Sequence, residues 1–474
     1  MIFEKTNHDP TLKTIFPALA VRGIFLNKEY EKLNATLSDY QKAYENDVRN
    51  EDNLIAAYEA FSTTEDYYEA LLNEWVKIYP SAYQPYLARG FYFMKLGWKS
   101  RGGKFAKDTT EEQLEGMRKY FSKASQDIES ALKIKQDHVI PYYLLINIYK
   151  TRGIDSLDVI IEKALEQCPG SFRIRSAYLV SITPRWGGTY EKMDLFAKNS
   201  QKYSIINPKV KVLNGYVFFD QGSMEVQAKN YGVALDLLNK ALSFGDLAMF
   251  YDSRAEIYRR LGKTDEALKD TNASIELISQ NAKSFYRRSR IHAKKDMFRE
   301  ALKDIEIAAQ LDPNDEDIIE LKKDIAKQFI YLGYTQEKAK NLTGAIENYN
   351  LAIQTNPNDP SSYYRRAQAL IEKKEMTSVF NDLDKAIELN PNNIDYYKLM
   401  DWVLAQKSDW NSIITYWDKY IALNPDNDRA YLERGGAYFR KGDMASAVAD
   451  AKRAADLGNA DGRKVYERYK SQVK

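Results

Sequence analysis

Three prolines in the C-terminal half, Pro357, Pro391 and Pro425, stand 34 residues apart, each preceded by asparagine; Asp312-Pro313 precedes the first of them by 44. A repeat of that length is the size of a helical hairpin, which has too little apolar surface to bury by itself and must stack on its neighbours. This constraint makes the chain a stack of helix pairs. It directs the search for function to the surface of the stack, not to a catalytic cleft.

The residues between the prolines supply the mechanism. In 326–359, Phe329, Leu332 and Gly333 share one helical face, and Ala345, Tyr349 and Ala352 share another. The small residues let the two helices cross closely, and the large ones fill the adjoining gaps. Pro357 ends the second helix, because proline disfavours helical conformation in the residue before it. The same order recurs in 248–281 (Tyr251, Ala255, Ala267), 282–315 (Phe285, Ser289, Ala301), 360–393 (Tyr363, Ala367, Leu383) and 428–461 (Tyr431, Gly435, Ala447). The long first interval predicts that 316–325 is an inserted helical extension.

This alternation of aromatic and small residues before a terminal proline resembles the tetratricopeptide repeat. The resemblance covers about six units over 248–461, with a seventh, irregular one at roughly 209–247 around Y-G-V-A-L-D-L-L-N-K-A-L-S. It implies an all-α fold, a right-handed α-solenoid of antiparallel helical hairpins. Two domains are expected: an irregular helical-hairpin domain at 17–208 and a tetratricopeptide array of about seven units at 209–474.

Composition narrows the partners. A formal net charge of +2 favours neither nucleic acid nor an anionic membrane. The single cysteine, Cys168, excludes an intramolecular disulfide framework. No apolar run is long enough to span a membrane, so no membrane insertion is expected. The polar start M-I-F-E-K-T-N-H-D-P lacks the pattern of a secretory signal, and a cytoplasmic protein is the simplest reading.

Between Pro17 and Pro208 the register is weaker. Segments 30–40, 67–76 and 160–166 have helical apolar spacing, with Pro80, Pro141, Pro169 and Pro184 as punctuation. Two features stand apart: the basic stretch G-W-K-S-R-G-G-K-F-A-K at 97–107, followed by a helix start at Thr110-Glu111-Glu112, and P-R-W-G-G-T-Y at 184–190. Together, Arg101, Gly102, Thr110, Glu111 and Glu112, then Pro184, Trp186, Gly187 and Gly188, resemble an uncharacterised bacterial family over roughly 17–205. That resemblance implies no activity. Trp186 is expected to be mostly buried, plugging a junction between hairpins while the glycines make the turn.

Catalytic signatures are missing. Gly97 to Lys104 departs from the phosphate-loop spacing, and Phe105 replaces the hydroxyl that would reach a metal ion, so a flexible basic loop that contacts an acidic partner is the better reading. His8, His138 and His292 are scattered, without metal-ligand spacing. Cys168 lies at a helix end beside Pro169 and reads as a structural thiol. We expect no enzyme, no cofactor and no metal.

What remains is the concave groove. In this family the first helix of each unit lines the inner surface. The resemblance thereby assigns Tyr286, Arg290 and Lys294 to it, then Tyr334 and Lys338, Tyr364 and Gln368, Lys398 and Trp402, and Phe439 and Arg440. Aromatic anchors mixed with arginine have the composition of binding hot spots; the alternative is that some of these rings pack on a neighbouring helix. Some arrays of the family grip a chaperone's C-terminal carboxylate. Lys283 and Arg287 offer a basic end, but Asp252, Ser253 and Glu256 in the preceding unit would repel it. In 394–427 the small positions hold Asp401, Ile413 and Tyr420, which should push the helices apart, with the Tyr420 hydroxyl the expected partner of Asp401.

The function read from the sequence is non-catalytic capture of a protein or peptide partner by a scaffold or adaptor, with an immunity protein against a cognate toxin as a sharper version. The alternative is an assembly factor for an envelope or secretion machine. The oligomeric state is open.

Overall fold

The computed structural model describes residues 16–103 and 108–472. His8 and residues 104–107 of the basic stretch lie outside them. The described residues form helices and short 3-10 turns, with no strand among them. Two compact units divide the chain: one runs to Ile291 and takes in Ile307–Pro313, and the other comprises His292–Glu306 and Asn314–Lys474. That division is one of compactness. The 208/209 boundary, drawn on repeat regularity, stays a proposal.

The first unit begins with α1 (Pro17–Leu26), α2 (Tyr30–Asn46), α3 (Glu51–Glu59), α4 (Tyr67–Ile78), α5 (Gln84–Arg101), α6 (Glu111–Ile134), α7 (Val139–Tyr149) and α8 (Ile154–Gln167). It continues with α9 (Phe172–Ser181), α10 (Tyr190–Ser200), α11 (Tyr216–Gln227), α12 (Tyr231–Leu242), α13 (Ala248–Arg260), α14 (Thr264–Leu277) and most of α15 (Ala282–Lys294). Thr110 caps α6 by accepting the Gln113 backbone N–H, while the Gln113 side chain accepts the Thr110 N–H. Residues 97–101 form the last turn of α5 and not a loop, because Gly97 lets α5 cross α6 so closely that a Cβ there would lie 2.5 Å from the Phe121 ring. Pro141 sits in the first turn of α7 and not between helices, at a place where a missing N–H breaks no helical bond. Cys168 is buried, and burial pushes its thiol up to about 12, as suits a structural side chain.

Trp186 departs from expectation. It ends a 3-10 turn, Pro184–Trp186, and is half-buried. The glycines do make the turn: Gly187 has φ +88°, and a Cβ on Gly188 would stand 1.8 Å from the Ile182 carbonyl oxygen. The turn therefore leaves the indole half-open instead of burying it in a junction.

Glu51 ties α3 to α9. Its carboxyl accepts the backbone N–H groups of Phe172 and Arg173, each at 3.0 Å, and the Ser171 hydroxyl. Burial outweighs these bonds and raises the carboxyl from 4.5 to about 7. The folded state thus holds a proton that the unfolded chain gives up. The contribution of this group is full below pH 4.5 and is lost as pH rises through about 7. In thermal melts across that window, the midpoint of the parent minus that of Glu51→Gln should fall with rising pH; a flat difference would show Glu51 to be ionised throughout.

The second unit contains α16 (Phe298–Leu311) up to Glu306, then α17 (Glu316–Lys338), α18 (Leu342–Thr355), α19 (Pro360–Lys373), α20 (Val379–Leu389), α21 (Ile394–Ala405), α22 (Trp410–Leu423), α23 (Asp428–Lys441), α24 (Met444–Asp456) and α25 (Ala460–Tyr469). The expected extension is there, fused to the first helix: α17 has 23 residues where α19 has 14. Gly333 meets Tyr349 across the hairpin, where a Cβ would lie 2.5 Å from the ring. The turn between the helices of each hairpin shows the period most sharply. Its left-handed residue is Lys340, Lys374, Ser408 and Gly442 in successive units, at φ +62°, +65°, +57° and +91°. Only one is glycine, so the sequence conceals the turn.

A second regularity is electrostatic. Arg366 of α19 grips the buried Asp382 of α20 with two bonds, at 2.8 and 2.5 Å, and reaches Asn350 of α18 at 2.7 Å. Arg434 repeats this with Asp450 and Asp418, and Arg254 with Asp270 and Asn239. Arg89 does likewise with Asp127 and Asn73, inside the irregular N-terminal half. Where the arginine is missing, so is the aspartate: Leu332 and Asn348 stand at the corresponding positions of one unit, and Met400 and Tyr416 at those of another. A buried charge left alone is strongly destabilising, so the two change together.

In 394–427 the partner of Asp401 is not Tyr420. The indole Nε1 of the fully buried Trp417 donates to Asp401 at 2.8 Å, and the Tyr420 hydroxyl instead accepts from Asn427 at 3.0 Å. The reason is register. Asp401 and Trp417 occupy the places of Gly333 and Tyr349, which face each other across the hairpin; Tyr420 lies a turn further along.

Candidate functional site

The first helices of the repeats carry the residues assigned from the sequence. On α15, Tyr286 and Arg290 are half-buried, with the guanidinium 5.5 Å from the ring centre, and Lys294 is exposed. On α17, Tyr334 and Lys338 are exposed, with the ammonium 5.2 Å from the ring; Arg365 of α19 reaches the same ring at 5.2 Å. Tyr364 is half-buried and packs on Tyr396 at 4.9 Å, tying α19 to α21. Gln368 is half-buried. Lys398 pairs with Asp395 on its own helix at 3.2 Å. Trp402 is 47% exposed. Phe439, also 47% exposed, sits 5.6 Å from Tyr469, whereas Arg440 lies over Trp410 at 5.5 Å.

The structure thus gathers Tyr334, Lys338 and Arg365 into one aromatic and cationic patch. Phe439 and Arg440 go to different neighbours. Sequence reasoning missed Tyr331, which at 65% is the most exposed of these rings and stands one turn before Tyr334. Its place in F-I-Y-L-G-Y was the available signal. The acidic positions set against a carboxylate clamp are neutralised where they stand: Asp252 takes Arg287 at 3.1 Å, and Glu256 takes Arg259 and Arg260, which hold its carboxyl down at about 2. Arg287 is equally committed.

The first unit also has an open cleft of about 440 Å³ whose lining includes Arg22, Asp52, Glu59, Lys95, Arg173 and Lys283. Glu59 is exposed within it, and the protein mass around the cleft pushes its carboxyl up against the opposing pull of Arg173. These residues come from segments far apart in sequence, so no local pattern announces them. Among the described residues no group of histidine, cysteine or carboxylate side chains could hold a metal ion, and no helix is long and apolar enough to cross a membrane.

The tetratricopeptide repeat family matches residues 360–393 and 406–462. With the helix pairs described above, this assigns tetratricopeptide repeats to the C-terminal region. Over 168 residues the chain is 26% identical to the DnaJ homolog subfamily C member 7 homolog of Dictyostelium discoideum, covering 32% of this chain and 31% of that one. Over 92 residues it is 29% identical to mitochondrial import receptor subunit TOM70 of Rattus norvegicus, covering 18% and 15%. It therefore spans less than a third of the length of either relative. Among solved structures, the C-terminal part of a repeat-containing protein from Cytophaga hutchinsonii is 22% identical with a TM-score of 0.28, covering 52% of this chain and 98% of that one. A tetratricopeptide repeat protein from Parabacteroides merdae is 16% identical with a TM-score of 0.24, covering 65% and 97%. Repeats of this family mediate protein–protein interactions, and that is the functional class of this region.

Proposed function

We propose that the chain is an adaptor that captures a protein or peptide partner on the first-helix face of its C-terminal repeats. One observation carries this reading. The most exposed rings of the second unit, Tyr331, Tyr334, Trp402 and Phe439, all lie on first helices, while their large counterparts Tyr349 and Trp417 on second helices are fully buried. Rings held out in water, Tyr334 among them beside Lys338 and Arg365, are composed as binding anchors.

Tyr334→Ala and Trp402→Ala should each weaken capture by at least about 2 kcal/mol while leaving the melt nearly unchanged. Glu347→Ala is the control: Glu347 makes an exposed ion pair with Arg299 at 3.6 Å, of a kind worth less than about 1 kcal/mol. A pull-down from the native cell with the parent and the three variants, read beside thermal melts, decides the matter. Binding lost only in variants that also unfold would make these rings core. The same pull-down names the partner: a secreted toxin makes the chain an immunity protein, and an envelope or secretion component makes it an assembly factor.

A further inference from the structure

The two motifs set apart in the N-terminal half lie outside the repeats proposed for capture, and they meet in space. Trp98 and Arg101 come from the last turn of α5, and Trp186 from the glycine turn 85 positions later. The two indoles stand edge to face at 6.1 Å. Lys150, just past the end of α7, places its ammonium 4.5 Å from the Trp98 ring centre and 5.3 Å from that of Trp186. The Arg101 guanidinium lies 6.0 and 5.7 Å from the same two rings.

Two cations thus share two indoles. Among the described residues, Lys150 reaches Asn147 Oδ1 at 3.5 Å and no carboxylate. Burial, and after it the charges of Arg101 and Arg185, lower its pKa to about 8. Arg185 itself is bridged to Asp220 at 3.3 Å, and Asp220 also accepts the Tyr190 hydroxyl. The indole faces attract the Lys150 ammonium but do not neutralise it, and Arg101 also donates to the Gly102 carbonyl at 3.3 Å. An anion entering here would bring Lys150 the counter-charge it lacks and relieve its repulsion from Arg101.

We propose that Trp98, Arg101, Lys150 and Trp186 form a binding site for an oxyanion, the carboxylate or phosphate of a ligand whose apolar body rests on the indoles. The arginine supplies a planar fork and the lysine a point charge, the two complementary ways of holding such a group. The turn is built for this: Gly187 and Gly188 admit no side chain without strain or clash, and they hold Trp186 half-open beside Lys150.

The test uses the full chain and a trace of an activated ester at pH 8, with the acylation rate of Lys150 read by mass spectrometry. A lysine with a lowered pKa should react faster than the exposed Lys99. Inorganic phosphate or acetate should protect it saturably, and sodium chloride of equal ionic strength should not. Protection by phosphate alone assigns a phosphate ligand; protection by acetate alone assigns a carboxylate. In Arg101→Gln, checked for folding by its melt, half-protection should need at least about tenfold more anion, since a bond to a charged group is worth roughly 1.5–3 kcal/mol. Protection by neither anion, equal protection by chloride, or an unchanged Arg101→Gln would each overturn the proposal. None of these outcomes bears on capture by the first helices.

Discussion

Asp382→Ala should destabilise the chain by roughly 3–5 kcal/mol, measured as a fall in the urea midpoint of the second unit. The carboxyl is almost wholly shielded from water and takes both arms of Arg366, so truncation strands a guanidinium that is itself largely buried. The repeats themselves suggest the rescue. Arg366→Leu combined with Asp382→Asn reproduces the natural Leu332 and Asn348 pair and removes both charges together. Replacing a buried ion pair by a well-packed neutral pair is often neutral or better. The double variant should therefore recover most of the loss, short of the Arg366 bond to Asn350. If Asp382→Ala costs less than about 1 kcal/mol, the pair is effectively solvated and does not organise the hairpin.

Trp417→Ala should cost about 3–5 kcal/mol, as expected for removal of a fully buried indole. The ring packs against Tyr397 at 6.0 Å and Tyr420 at 5.9 Å, so its loss opens a void between α21 and α22. Trp417→Phe separates packing from hydrogen bonding. Phenylalanine keeps most of the volume but leaves Asp401, whose carboxyl burial already pushes up, without its indole donor. That variant should lose about 1–3 kcal/mol, the cost of an unsatisfied buried polar group. Thermal melts of the two variants side by side make the comparison. Equal losses would mean that the hydrogen bond carries the whole effect and that the helices close over the void.

The repeats were legible because their determinants are local. Gly333, Ala345 and Tyr349 mark a close crossing in any such hairpin, and the ten-residue excess before Phe329 had to go into a helix, where α17 puts it. The Arg–Asp pairs were equally legible in principle, since residues 366 and 382 share their offset with 254 and 270 and with 434 and 450. Reading for apolar periodicity passed over them. Trp186 went the other way: an indole beside two glycines reads as a plug, yet the glycines that permit the turn also hold the ring half-open.

By itself the sequence determined that this chain is helical, where its second helices end and which small residues let the hairpins cross, because helical period and steric size act within a few turns of the chain. Only the tertiary structure decided which rings are anchors and which are core. Tyr364 and Trp402 lie one turn apart in register on successive first helices, but a neighbouring tyrosine covers the first and water meets the second. It also decided that Trp98, Arg101, Lys150 and Trp186 stand together. A helix fixes each side chain's direction about its own axis, and what waits in that direction depends on packing between segments that no local pattern relates.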